Sequence, residues 1–145
     1  MSETVHLKIG RDSKASNADN LQYIQGEVEE LGQREDWPDS LVFKVNLVLE
    51  ELGLNILSYG GGDTDSRPDL EILLISDDDS LTIEVSDDGL PFNPLEDATE
   101  PNVEAMIDER SIGGLGVHLV RTLMDDLWYQ WADGRNQLKM VTKKE

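Results

Sequence analysis

The chain contains no cysteine, so it has neither a disulfide framework nor a thiolate for catalysis or metal binding. Basic residues are scarce as well: 12 Lys and Arg face 31 Asp and Glu, a formal charge of −19. Such a surface repels duplex nucleic acid and anionic membrane, and neither is expected as a direct partner. No apolar run approaches the roughly 20 residues of a membrane span, and no signal-peptide pattern opens the chain. The expected compartment is therefore cytoplasmic. The two histidines, His6 and His118, have no adjacent motif suited to a phospho-accepting imidazole. With no internal repeat and no linker, residues 1–145 are expected to form a single domain large enough to bury a core.

Periodic apolar residues carry the secondary structure. Residues 5–9 alternate apolar and polar, as in a half-buried strand. Leu21, Ile24, Val28 and Leu31 share one helical face behind a cap expected at Asn17 or Asp19. Trp37-Pro38-Asp39 breaks that helix, and a second runs from Asp39 or Ser40 to Tyr59, carrying Leu41, Val45, Val48, Leu49, Leu52 and Ile56. Residues 70–76 and 81–86 read as strands joined by a hairpin turn at Asp77-Asp78-Asp79-Ser80. Those aspartates lack the spacing of a calcium loop and read as a solvated turn. Residues 127–132 and 137–142 read as a second hairpin, turning at Asp133-Gly134-Arg135-Asn136. Two hairpins force antiparallel pairs. The fold class is therefore α+β: a two-layer α/β sandwich with helices on one face of a mainly antiparallel mixed sheet.

Between the two hairpins lie an acidic segment, residues 95–112, and the stretch Gly113-Gly114-Leu115-Gly116, which opens a helix expected to run to Asp125. A long loop inside a compact domain is often functional, for instance as a lid. Glycines entering a helix present unpaired backbone N–H groups and the positive end of a dipole, which suits a phosphate. Read alone, they are more often just a turn. Glu51 and Asn55, one helical turn apart, share a face. Asp87-x-Gly89 follows a strand. In isolation the first pair is also ordinary exposed helix surface, and the second is an ordinary turn. Trp128 and Trp131 read as strand packing, His118 as structural or surface, and Arg121 as solvated.

Taken in order, Glu50-Glu51-Leu52-Gly53-Leu54-Asn55, Asp87-Asp88-Gly89-Leu90-Pro91-Phe92-Asn93-Pro94 and Ile112-Gly113-Gly114-Leu115-Gly116-Val117-His118-Leu119-Val120-Arg121 resemble the ATP-binding signature of the GHKL superfamily. Within it they look most like the bacterial anti-sigma regulatory factors, which are serine/threonine protein kinases. The resemblance spans roughly residues 5 to 143. It implies a Bergerat-type ATP-binding fold, with ATP and Mg²⁺ as cofactors. Asn55 would ligate the metal and Glu51 would act as general base. Asp87 would accept from the adenine amine, and Gly89 would let the backbone pass close to the base. Gly113, Gly114, Leu115 and Gly116 would supply amides to the phosphates. A last-strand threonine often supports the adenine aspartate in this superfamily, which makes Thr142 the candidate.

The same resemblance implies a protein substrate, a small anti-sigma-factor antagonist of the STAS type. A sigma factor is a further candidate partner, phosphorylation would decide the exchange between them, and a homodimer is compatible with this. The alternative is a nucleotide-dependent regulator that binds its partner without useful kinase turnover. Retention of Glu51 favours the kinase, because a pure binder needs no base. A detached histidine-kinase ATPase domain fits less well, given the short chain and the Pro91-Phe92 form of the second motif. Two departures stand out. Gly53 sits inside a helix at a cost of about 1 kcal/mol against alanine, and the segment 95–112 has only Arg110 as a base.

Overall fold

Period-two alternation of burial runs through the central strands of this molecule. The computed structural model describes residues 2–59, 68–91 and 120–144. Strand β1 (Glu3–Ile9) is followed by helices α1 (Asn17–Arg34) and α2 (Asp39–Tyr59), then strands β2 (Leu70–Ser76) and β3 (Ser80–Asp87). Strands β4 (Asp126–Ala132) and β5 (Arg135–Lys143) complete one sheet of order β1-β2-β3-β5-β4. Every pairing among these strands is antiparallel. Residues 120–123 are helical, the C-terminal part of the helix expected to end at Asp125.

In β3 the alternation buries Leu81, Ile83, Val85 and finally Asp87. In β5 it buries Asn136, Leu138, Met140 and Thr142. These inward rows join Ile24, Val28 and Leu31 of α1 and Leu41, Val45, Val48, Leu49 and Leu52 of α2 in one hydrophobic core. Both helices therefore cover one face of the sheet. Trp128 stands on the other face, with Lys139 Nζ 5.7 Å from its ring centroid. No helix among the described residues is long and apolar enough to cross a membrane.

Local chemistry sets the element ends. Ser16 caps α1, its side chain accepting from the Asp19 amide at 3.1 Å, so that neither Asn17 nor Asp19, the two expected caps, takes that role. Residues 77–79 form the β2–β3 turn, where the Asp77 amide donates to the Ser80 carbonyl at 2.9 Å. Asp133 and Gly134 turn β4 into β5 with φ of 56° and 73°, the left-handed pair that a two-residue hairpin loop requires.

Contacts between elements fix which end of α2 meets which end of the sheet. At the start of α2, Trp37 Nε1 donates to Ser76 Oγ at 3.2 Å and Lys44 Nζ donates to Thr142 Oγ1 at 2.7 Å. Ser76 and Thr142 both lie opposite Leu81, so these bonds tie the start of α2 to one end of the sheet. Helix α1 runs the other way. Arg34 pairs with Glu3 at that same end, while Ser13 beside the α1 start bonds the Gly10 carbonyl at the opposite end. Gly53 of α2 lies against Leu21 of α1, so the later turns of α2 point to the end where β3 finishes in Asp87.

Candidate functional site

The site is assembled at that second end. Asp87 is the last inward residue of β3, where the pattern Leu81-x-Ile83-x-Val85-x-Asp87 replaces an aliphatic side chain with a carboxylate. It is 5% exposed. Its Oδ1 accepts from the Gly89 amide at 2.9 Å and from Asn136 Nδ2 at 3.1 Å, while among the described residues nothing donates to its Oδ2. Burial raises the Asp87 carboxyl above the ordinary carboxylate range; the bonds from Asn136 and Gly89 and the charge of Arg135 offset part of that rise.

The turn after Asp87 is tethered from two directions. Asp88 Oδ1 accepts from the Asp69 amide at 2.8 Å, and its Oδ2 pairs with the Arg11 guanidinium. Arg11 also holds Asp69 through its backbone amide and, at 3.4 Å, its guanidinium, so the Asp69 carboxyl lies below its ordinary range despite some burial. From the other side, Asn136 Nδ2 donates to the Leu90 carbonyl at 2.8 Å.

Glu51 and Asn55 lie on the late turns of α2, both half-buried. The rise of the helix carries them roughly 10 and 17 Å beyond Lys44, towards the Asp87 end. Partial burial raises the Glu51 carboxyl, with the neighbouring charge of Glu50 as the second cause. Among the described residues, Gly53 between them lies against helix α1. A Cβ there would meet Leu21 Cδ2 at 2.8 Å, so the glycine permits the α1–α2 contact.

Thr142 is not beside Asp87. It is fully buried opposite Leu81, six residues along β5 from Asn136, or about 20 Å at ~3.4 Å per residue. Its hydroxyl serves Lys44. The last strand does support Asp87, but through Asn136, which lies directly opposite it in the β3–β5 register. Asn136 was legible only as part of a turn, because the pairing of β3 with β5 is non-local. Gly113, Gly114, Leu115 and Gly116 lie outside the described residues, as do His118 and the acidic segment 95–112. Trp131 is half-exposed beside Asn136 rather than packed in the core.

These residues fit an adenine nucleotide at one point in particular: the Oδ2 of a buried carboxylate, to which no described residue donates, suits an exocyclic amine. Among the described residues no group of three or more His, Asp or Glu is arranged to hold a metal. Asn55 alone suits a Mg²⁺ ion that draws its other ligands from phosphates and water, the usual habit of that ion.

Comparison with known proteins identifies the family of the chain. The family model of the histidine kinase-like ATPase domain matches residues 15–142. The serine/threonine-protein kinase BtrW of Bordetella bronchiseptica is 28% identical over 116 residues, covering 79% of this chain and 80% of that protein.

Proposed function

From the chain's membership of the histidine kinase-like ATPase family, we propose that it is a Mg-ATP-dependent serine/threonine protein kinase. Its substrate in this reading is a small anti-sigma-factor antagonist of the STAS type, in the cytoplasm, and its output is a partner switch that reaches a sigma factor. The observation that carries the proposal is the gathering of Glu51, Asn55 and a buried Asp87, whose Oδ2 has no donor among the described residues, at one end of the sandwich. The name of BtrW supports the choice of protein hydroxyl as acceptor.

Asp87 selects the base by accepting from its amine. Asn55 offers a carboxamide oxygen to Mg²⁺, and Gly113, Gly114 and Gly116 offer amides to the phosphates. Bound Mg-ATP supplies the transferable phosphoryl group and most of the charge neutralisation that an acidic chain lacks. Glu51 takes the proton of the incoming serine or threonine hydroxyl. Its raised carboxyl is a stronger base than an exposed glutamate, which suits that task near neutral pH.

The test is incubation of the purified chain with Mg-ATP and candidate antagonist proteins, followed by intact mass. One added phosphoryl group on a serine or threonine is expected. Tight binding of ATP and partner with no transfer under any condition would establish the alternative, a nucleotide-dependent binding regulator.

A further inference from the structure

Asn136 is inward-facing and nearly fully buried, and three neighbours among the described residues bear on how its amide is turned. Two of them, Asp87 Oδ1 at 3.1 Å and the Leu90 carbonyl at 2.8 Å, are acceptors and take the two amide hydrogens. The third is the Tyr129 hydroxyl, which donates to Asn136 Oδ1 at 2.5 Å. Tyr129 lies opposite Leu138, two residues along β5 from Asn136, so it is the diagonal neighbour on the same face of the β4–β5 pair. A flipped amide would bring its oxygen against two other acceptors. Tyr129 stabilises the productive sense by donating to the amide oxygen.

We infer that Tyr129 is a positioning residue for base selection, acting through Asn136 on Asp87. The inference rests on the reading of Asp87 as the adenine-binding carboxylate and extends it to a residue that does not touch the nucleotide. Asn136 and Gly89 together occupy Oδ1, so the carboxylate presents Oδ2 in one orientation. Asn136 also pins the Leu90 carbonyl, which holds the turn that carries Gly89. With the carboxylate fixed, a 6-amino purine donates to Oδ2, whereas a 6-oxo purine turns an acceptor towards it. Selectivity between the two then depends on how firmly the amide is held.

ATP and ITP differ at this position and carry the same triphosphate, so their affinity ratio isolates the effect. Calorimetric titration of wild type, Tyr129→Phe and Asn136→Leu with each nucleotide in Mg²⁺ is the experiment. One neutral hydrogen bond contributes about 0.5–1.5 kcal/mol, so Tyr129→Phe should lower the ATP:ITP ratio about three- to tenfold, with ITP affinity changed less than about twofold. Asn136→Leu should lower the ratio further, while Gln130→Ala on the opposite face of β4 should keep it. If Tyr129 only stabilised the hairpin, both affinities would fall together or only the melting temperature would move. A wild-type ratio in folded Tyr129→Phe would overturn the inference. Failure of wild type itself to prefer ATP over ITP would instead remove the adenine role of Asp87.

Discussion

A methyl group on Gly53 would stand 2.8 Å from Leu21 Cδ2, inside van der Waals contact. This one approach brings α2 against α1 between the turns that carry Glu51 and Asn55. The atom in the way is the end of a flexible side chain, so Gly53→Ala should leave stability within about 1 kcal/mol, the clash offsetting the better helix propensity. Gly53→Val is different, since overpacking costs about 1–3 kcal/mol and a β-branched residue adds its own. Adding Leu21→Ala to Gly53→Val should recover a large part of that loss. Denaturant unfolding of the four proteins gives the coupling, and strict additivity would show that the two side chains do not compete for the same space.

Asp87 sets stability against binding. Because burial raises its carboxyl in the folded chain, its favourable contribution is fully present below the ordinary carboxylate range and is lost as pH rises through the raised value. Asp87→Asn has no such titration. It should melt at a higher temperature than wild type at neutral pH, and the difference should shrink as pH falls towards 4. The same substitution places an amide N–H donor opposite the adenine amine. Hydrogen bonds to charged groups contribute about 1.5–3 kcal/mol, so ATP affinity should drop at least about tenfold. An equal melting difference at pH 4 and pH 8 would contradict burial as the cause of the shift.

Glu51 and Asn55 should separate in kinetic tests. A base contributes mainly in the transition state, so Glu51→Ala should bind ATP and partner as wild type does and lose about 10²–10⁴-fold in transfer rate. Asn55→Ala should weaken Mg-ATP binding itself, since the metal bridges protein and phosphates. Because partial burial and Glu50 raise the Glu51 carboxyl, the transfer rate should fall as pH drops through that raised value, above the range of an exposed glutamate. Transfer by Glu51→Ala at the wild-type rate would remove Glu51 from the mechanism.

Thr142 belongs to the far end of the sandwich, and its variants should behave accordingly. Thr142→Val keeps the volume but deprives Lys44 Nζ of its acceptor at 2.7 Å. A stability loss of about 1 kcal/mol is expected, with nucleotide affinity unchanged within about twofold. A clear loss of ATP affinity without loss of stability would mean that this end of β5 communicates with the nucleotide.

Much of this protein was determined by local pattern. Period-two runs place strands β1 and β3, and the 3.6-residue period places α1 and α2, because each element must bury one face. The same helical period alone puts Glu51 and Asn55 on a common face. The order of the three motifs points to the histidine kinase-like ATPase family without reference to any contact. What the tertiary structure decided is which residues meet across the chain. The register of β3 against β5 brings Asn136 to Asp87 and sends Thr142 to Lys44, although both are polar residues on the same strand. Local sequence cannot distinguish them, because a shift of six residues keeps the same face inward and only long-range pairing chooses between the two ends. Gly53 has the same origin: its helix propensity is poor at any position, and only the approach of Leu21 from another helix supplies its reason.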